Sequence, residues 1–250
     1  MNFKELGHKY ISNEGKQYRS ITGILKELEP KKDWGEIAKK YAIKNSLTLK
    51  EVQDKWQHEK DIAAVRGTKY HSSQEAKDLA LPFAVTMDRN TTDVITVFPP
   101  TIIDGVKIGT KQTLSDGLYP ELMVWLDSIE IAGQVDRPEI VNNTLNILDY
   151  KTNKKIDLEG WSSKWKPAEK LLWPCNHLDN CNYNLYSLQL NFYAYIILRH
   201  NPKLKLGKLI IRHILFEEGS DIPVGEKDYE VKNMQKEIRN VVKAIKDKKL

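Results

Sequence analysis

Two short apolar runs on either side of Asn142-Asn143 constrain the fold of this chain more than any other feature of its sequence. Residues 129–141 and 145–151 are rich in Val, Ile, Leu and Tyr, a composition typical of strands. Asparagine tolerates the positive φ angles that a two-residue hairpin turn requires. The segment therefore predicts an antiparallel hairpin that turns at Asn142-Asn143, whereas a three-residue loop would shift its register.

The predicted turn brings two acidic residues together. In the two-residue register Asp136 lies directly opposite Asp149, with Cβ atoms about 5 Å apart. Lys151 falls on the same face as Asp149 because side chains alternate along a strand. The far end of the hairpin is thus expected to carry two carboxylates and one ammonium group.

This group of charges suggests a particular chemistry. Two close carboxylates repel each other unless a cation lies between them or one carboxyl is protonated. Carboxylate oxygens are good ligands for Mg²⁺ and Mn²⁺, so Asp136 and Asp149 form a candidate metal site. A lysine opposes cation binding, and Lys151 therefore points to an anionic substrate that needs both charges. Phosphodiester hydrolysis uses a metal to activate water and an ammonium to position that water or stabilise negative charge.

A simpler interpretation is a surface hairpin with an Asp-Lys ion pair. Such a pair contributes about 0 to 1 kcal/mol and has no chemical role. This interpretation does not explain why the apolar residues Leu145, Ile147 and Leu148 surround Asp149.

Helical patterns dominate residues 20–80. Ser20 is a predicted N-cap for a helix over 21–28, and Thr48 with Glu51 forms a capping-box pattern that opens a second helix. We expect Gly67 to end that helix and Thr68 to begin another.

The remaining pattern alternates between strands and helices. Residues 94–151 predict a β-meander, which is followed by an excursion, a helix from Leu185 to about residue 200, a strand and a final helix. The sequence predicts a single α/β or α+β domain. Its expected divisions are an N-terminal helical region (1–90), a sheet core (91–217) with an excursion (153–187), and a C-terminal helix (228–248).

Composition excludes several classes of protein. Two cysteines cannot build a disulfide framework, and the N-terminus lacks the apolar stretch of a signal peptide. The apolar runs are far shorter than the ~18 residues that a membrane-spanning helix needs. We therefore expect an intracellular, cytoplasmic protein with no membrane association. The net charge of +5 is compatible with a polyanionic partner.

Several motifs, in order, resemble the PD-(D/E)XK nucleases. The resemblance is closest to the RecB-like branch, which includes the CRISPR-associated RecB-like exonucleases and the mitochondrial genome-maintenance exonuclease. It covers about residues 18–198. The motifs are Tyr18-Arg-Ser-Ile-Thr22, similar to the opening of phage-encoded members, Gly67-x-x-x-His71-x-x-x-Glu75, Glu121, Gly133-Gln-Val-Asp136, Asp149-Tyr150-Lys151-Thr152 and Gln189-Leu-Asn-Phe-Tyr193.

The resemblance implies a fold and a set of roles. The fold would be a restriction-endonuclease-like core, with a central mixed β-sheet flanked by helices. Asp136, Asp149 and Lys151 would be the catalytic residues, and the two aspartates would also bind the metal. Further metal ligands would be His71, Glu121 and the backbone carbonyl of Tyr150, while Gln189, Tyr193 and Glu75 would support the site or contact the nucleic acid.

Two further segments bear on cofactors and partners. The stretch from Trp161 to Trp173 alternates tryptophan with lysine, so Trp161 and Trp165, together with Lys154, are candidate contacts for single-stranded nucleic acid; alternatively, these tryptophans anchor the excursion on the core. Some RecB-like relatives hold an iron-sulfur cluster through four cysteines, which this chain does not have. We expect Cys175 and Cys181 to be free thiols, although with His177 they could contribute to a zinc site.

The sequence therefore predicts a Mg²⁺- or Mn²⁺-dependent deoxyribonuclease. We expect an exonuclease that prefers single strands or frayed ends and acts in DNA processing, recombination or repair, with any helicase activity supplied by another protein. One alternative is a structure-specific endonuclease. A second, from another class, is a nucleic-acid binding subunit without catalytic activity.

Overall fold

The computed structural model describes residues 3–6, 9–87, 93–110, 112–217 and 219–250. These residues form five α-helices and fourteen strands, which confirms a mixed α+β class. The helices are α1 (Ile21–Glu27), α2 (Trp34–Asn45), α3 (Leu49–Leu79), α4 (Asn182–His200) and α5 (Gln235–Lys246). The strands are β1 (Phe3–Leu6), β2 (Lys9–Ser12), β3 (Gln17–Ser20), β4 (Phe83–Val85), β5 (Val94–Thr96), β6 (Thr101–Ile103), β7 (Val106–Gly109), β8 (Gly117–Leu118), β9 (Leu122–Leu126), β10 (Ile131–Val135), β11 (Arg137–Val141), β12 (Thr144–Lys151), β13 (Lys205–Phe216) and β14 (Pro223–Glu230).

The strands form two large sheets and a small one. The first has the order β6-β7-β1-β2-β3-β10-β9, the second has the order β14-β13-β12-β11-β8, and β4 pairs with β5. In the second sheet β12 and β13 are parallel while the other pairs are antiparallel. The predicted β-meander is therefore wrong as a single sheet, because the chain leaves one sheet after β10 and enters the other at β11. Asp136 lies at this crossing.

The hairpin of β11 and β12 has the predicted turn and register. Asn142 and Asn143 have φ angles of 51° and 58°, and Arg137 pairs with Leu148 at the far end of the ladder. The Asp116 carboxylate accepts hydrogen bonds from the backbone N–H groups of Asn142 and Asn143, at 2.8 and 3.2 Å. This carboxylate stabilises a turn in which both residues occupy the left-handed region.

The main hydrophobic core lies where both large sheets pack against helices α1, α4 and α5. Strand β12 contributes Leu145 and Ile147, which are fully buried, and α4 contributes Leu188 and Phe192. Burial of side chains of this size contributes about 1.5–3 kcal/mol each. The first half of β12, the strand that carries Asp149 and Lys151, is thus fixed in place by its packing in the core.

Helix α3 is longer than the sequence analysis predicted. The capping box of Thr48 and Glu51 is confirmed, but the helix continues without interruption to Leu79. The predicted end at Gly67 and the new start at Thr68 are therefore wrong. Gly67 is instead a point of close approach, because a Cβ atom there would lie 3.2 Å from Oγ1 of Thr152.

A buried ion network joins α3 to β11. Arg137 donates from Nε to the Asp78 carboxylate at 3.1 Å and from Nη1 to Glu139 Oε2, also at 3.1 Å. Glu139 accepts a further hydrogen bond from the amide of Met87. Breaking such a buried pair costs about 3–5 kcal/mol because one charge is left without its partner. The network fixes α3, which carries His71, against the end of the hairpin.

Two other boundaries differ from the prediction. The N-terminal region contains β1, β2 and β3 before its first helix, so it is not helical throughout. The C-terminal helix begins at Gln235 rather than near residue 228, and β14 occupies Pro223–Glu230. Most of the β14 residues are exposed at the sheet edge, so the strand has no strong apolar signal. By contrast, the Ser20 N-cap, the α4 helix and the β13 strand are confirmed.

Candidate metal and catalytic site

Three separate elements bring His71, Glu121 and Asp136 together. His71 lies on α3, Glu121 precedes β9, and Asp136 lies between β10 and β11. One ligand atom from each residue lies within 4.8 Å of the other two. The backbone N–H of Glu121 donates to the carbonyl of Asp136 at 2.8 Å, so the main chain also holds these two residues in place.

Asp136 is the centre of this group. Its Oδ2 lies 3.2 Å from Nδ1 of His71 and accepts a hydrogen bond of 2.9 Å from the backbone N–H of Tyr150. Burial raises the pKa of this carboxyl, but the charges of His71 and Lys151 and the hydrogen bonds from His71 and Tyr150 together outweigh burial, and the net pKa is lowered. Burial likewise lowers the pKa of His71, whereas Asp136 and Asp149 raise it to a net value of about 9. In the absence of a cation these two residues therefore form an ion pair at neutral pH.

Asp149 and Lys151 form a second buried pair beside the first. Asp149 is 1% exposed, and its Oδ2 contacts the Lys151 ammonium without accepting a well-directed hydrogen bond. Burial is the main reason why the pKa of Asp149 is raised. Burial also lowers the pKa of Lys151, but the two aspartates outweigh it and raise the net value. The ammonium lies 4.6 Å from the centre of the Tyr186 ring on α4.

Glu121 is linked to a neighbouring lysine and a second glutamate. Lys107 on β7 lies 2.7 Å from Glu75 and 3.8 Å from Glu121, measured from Nζ to the nearest carboxylate oxygen. Burial and the nearby Asp136 raise the pKa of Glu121. Glu75 thus contacts a lysine, while Glu121 contributes directly to the group around Asp136.

These residues fit a hard divalent cation. Two carboxylates and one imidazole within 4.8 Å of one another are a donor set that Mg²⁺ or Mn²⁺ accepts. Nearby carboxylates contribute to both raised pKa values, since Asp136 adds to the effect of burial on Glu121 and, with Asp149, raises the pKa of His71. Asp149 lies outside the group of three and contacts Lys151 instead. Tyr150 donates its amide to Asp136, and a metal-binding role for its carbonyl stays a prediction.

Gln189 and Tyr193 lie in the protein interior. They are 8% and 3% exposed, and the Gln189 side-chain amide donates to the Tyr193 hydroxyl at 2.8 Å. The Tyr193 ring packs against Gly133 on β10, where a Cβ atom would lie 2.7 Å from Cε1. Burial raises the pKa of Tyr193 well above its usual value. This placement fits support of the sheet beneath the site rather than direct contact with a ligand.

The predicted nucleic-acid contacts in the excursion are exposed. Trp161 and Trp165 have 65% and 84% of their surface accessible, and Lys164 lies over the Trp165 ring. Their contact with nucleic acid stays a prediction. Cys175 and Cys181 are buried free thiols, and His177 contacts Glu237 at 3.3 Å.

Sequence reasoning missed Lys107, Tyr186 and Arg66. Lys107 has no sequence signal, because it comes near Glu121 only where β7 contacts β9 in the folded chain. Tyr186 precedes Gln189 by three residues on the same helix, so helical spacing could have indicated it. Arg66 directly precedes the Gly67 motif, and its side chain donates to the carbonyl of Thr152.

Comparisons with known proteins do not identify this chain. No family profile and no curated protein matches it. One similar solved structure is the crystal structure of SSO0001, which is 12% identical, with 92% of this chain and 75% of that chain covered, at a TM-score of 0.34. That likeness is too weak to establish a fold or a function. None of the described helices combines the length and the apolar character that a membrane-spanning helix requires.

Proposed function

We propose that this protein is a metal-dependent nuclease built on a restriction-endonuclease-like core. The observation that carries the proposal is the convergence of His71, Glu121 and Asp136 beside the buried pair of Asp149 and Lys151. An ion pair that served only stability would not need three further titratable groups crowded around it. A phosphodiester substrate needs both kinds of charge at one place.

Each residue has a defined part in the proposed reaction. A bound divalent cation would polarise the phosphoryl oxygen and make water a better nucleophile at neutral pH. His71, Glu121 and Asp136 would hold that cation. The nearby Asp149 carboxylate would add negative charge that attracts it. Lys151 would leave its contact with Asp149, orient the attacking water and stabilise the charge that develops on the phosphate. The Tyr150 amide keeps the Asp136 carboxylate in place throughout.

Support for the PD-(D/E)XK assignment comes from the order of the motifs along the chain and from the hairpin geometry. The two-residue turn at Asn142-Asn143 sets the register that brings Asp149 to the end of the ladder beside Asp136. We propose DNA as the polymer and an exonuclease that prefers single strands or frayed ends as the activity.

Digestion of labelled DNA tests this function. Single strands labelled at the 5′ or 3′ end, blunt duplex and circular single strands would be incubated with Mg²⁺, Mn²⁺ or a chelator. We expect metal-dependent shortening of linear single strands and intact circles. Cleavage of the circles would indicate an endonuclease. Binding with no cleavage under any metal condition would contradict the proposal and indicate a binding subunit.

A further inference from the structure

A large cleft opens beside the candidate catalytic lysine. It has a volume of about 1690 Å³, and one end is formed by Thr152, which directly follows Lys151 in the chain. We call it the Trp34 cleft. Its walls are the segment from Lys26 to Trp34, the α3 residues from Trp56 to Arg66, residues 152–154, and residues 214–217 and 219–221.

The charge of this cleft suits a polyanion. Six cationic and four acidic side chains line it. Of the acidic ones, Asp221 is already paired with Lys69, at 3.8 Å. Four of the cationic side chains make no ion pair with any acidic residue that the structure describes, so they are available to phosphates; these are Lys26, Lys31, Lys60 and Lys154.

Arg66 lies where the cleft meets the candidate catalytic site. Its Nη2 donates to the carbonyl of Thr152 at 3.4 Å, and its guanidinium lies 4.7 Å from the centre of the Phe216 ring. Its Nε is buried and has no hydrogen-bond partner. An unsatisfied buried donor is unfavourable, and a phosphate bound to the partly exposed Arg66 guanidinium would satisfy it. Arg66 is therefore placed to bind a phosphate next to the one at Lys151.

Trp34 provides an aromatic surface in the same cleft. It is 63% exposed although it begins α2 and lies edge to face against Trp56, with ring centres 6.3 Å apart. Trp56 is held in turn by Tyr41 at 5.6 Å. An aromatic ring that is fixed from one side and open on the other can stack on an unpaired base. A base within a duplex cannot stack in this way.

We infer that the Trp34 cleft binds the single-stranded part of a polynucleotide, with Trp34 stacking on a base and Arg66 binding a phosphate. The inference rests on the proposed function, since it supplies a path for the strand that is cut at Lys151. It differs from the predicted contacts of Trp161 and Trp165, which do not line this cleft.

Fluorescence anisotropy with labelled oligothymidylate and with an abasic oligonucleotide of equal length tests the inference. Both are titrated in chelator, so that no cleavage occurs. We expect the wild-type protein to bind oligothymidylate about tenfold or more tightly than the abasic strand. Trp34→Ala should abolish that preference and Trp34→Phe should retain it. Phe83→Ala is the matched control, because Phe83 is 57% exposed and does not line the cleft.

Arg66→Ala should weaken binding of both strands about tenfold, and its control Arg199→Ala should leave binding unchanged. If Trp34→Ala does not fold, Trp34→Leu keeps an apolar contact with Trp56 and removes the aromatic face. The inference is overturned if the preference for bases survives loss of the Trp34 ring, or if Phe83→Ala weakens binding as much.

Hydrolysis of bis(p-nitrophenyl) phosphate separates this inference from the proposed function, because that diester has no base and no strand. Base-dependent binding through Trp34 with no hydrolysis of DNA or of the small diester would contradict the nuclease proposal alone. If DNA and the small diester are hydrolysed but Trp34→Ala has no effect on oligothymidylate binding, the inference about the Trp34 cleft is contradicted and the nuclease proposal is not.

Discussion

The two halves of the hairpin β11-β12 differ in what they bury. The half near the turn buries Ile140, Leu145 and Ile147 in the main core. The other half ends in Asp149 and Lys151, which continue the same face of β12 but carry charge. One half therefore stabilises the fold by apolar burial, whereas the other buries ions at a desolvation cost of several kcal/mol each.

This difference separates stability from function within one strand. A hairpin that served only stability would continue its apolar series to the end of β12. The strand instead becomes charged where Asp136, His71 and Glu121 also meet. The apolar half provides the rigidity that charged groups need in order to stay at catalytic distances.

The largest expected effect comes from the charged half. Asp149→Asn keeps the shape of the side chain but removes its charge, so metal-dependent cleavage of single-stranded DNA should fall to background. The circular dichroism spectrum should be that of the wild type. Cleavage at the wild-type rate would show that the charged half has no chemical role.

The apolar half should respond in the opposite way. Ile147→Ala removes a fully buried side chain, so the free energy of unfolding in urea should fall by about 2–5 kcal/mol. Ile43, which is 82% exposed on α2, is the control, and Ile43→Ala should change stability by less than about 0.5 kcal/mol. The folded fraction of Ile147→Ala should still cleave DNA. Loss of cleavage without loss of stability would remove the distinction between the halves.

Metal affinity should depend on pH in a direction that the pKa values fix. The pKa of His71 is raised to about 9 and that of Glu121 is also raised, so both groups hold protons that a cation must displace. Mn²⁺ affinity, measured by calorimetry, should therefore rise between pH 7 and 9, by up to about tenfold per pH unit for each proton released. His71→Gln should bind more weakly and with less pH dependence. An affinity that does not change with pH would argue against these ligands.

The smallest effect is expected at the turn. Asn143 has a φ of 58°, a value that glycine adopts without strain. Asn143→Gly should keep the hydrogen bond from its backbone amide to Asp116 and change the free energy of unfolding by less than about 1 kcal/mol. Cleavage should be unaffected. A large loss of stability would show that the Asn143 side chain has a role beyond the turn.

Local signals in the sequence predicted much of the fold. The Ser20 cap, the Thr48 capping box and the turn at Asn142-Asn143 depend on neighbouring residues only, and all three are confirmed. Gly67 was misinterpreted because a glycine at a helix end and a glycine at a close helix contact look the same in sequence. Only the position of Thr152 distinguishes them.

Long-range contacts limited the prediction of the site. The hairpin register could place Asp136 near Asp149, but Lys107 comes near Glu121 only through the tertiary contact of β7 with β9. The Trp34 cleft combines segments from four parts of the chain, and no local pattern links Trp34 with Arg66. The composition of the excursion is visible in the sequence, whereas the cleft depends on tertiary structure.

Lys151 and Lys155 offer the most direct test of the central claim, because both pair with an aspartate but only Lys151 is buried at the site. The initial rate of Mg²⁺-dependent cleavage of end-labelled single-stranded DNA should be measured for Lys151→Ala, Lys155→Ala and the wild type. We expect Lys151→Ala to lose at least about 100-fold in rate and Lys155→Ala to match the wild type. Equal rates for all three proteins would contradict the assignment of nuclease chemistry to this site.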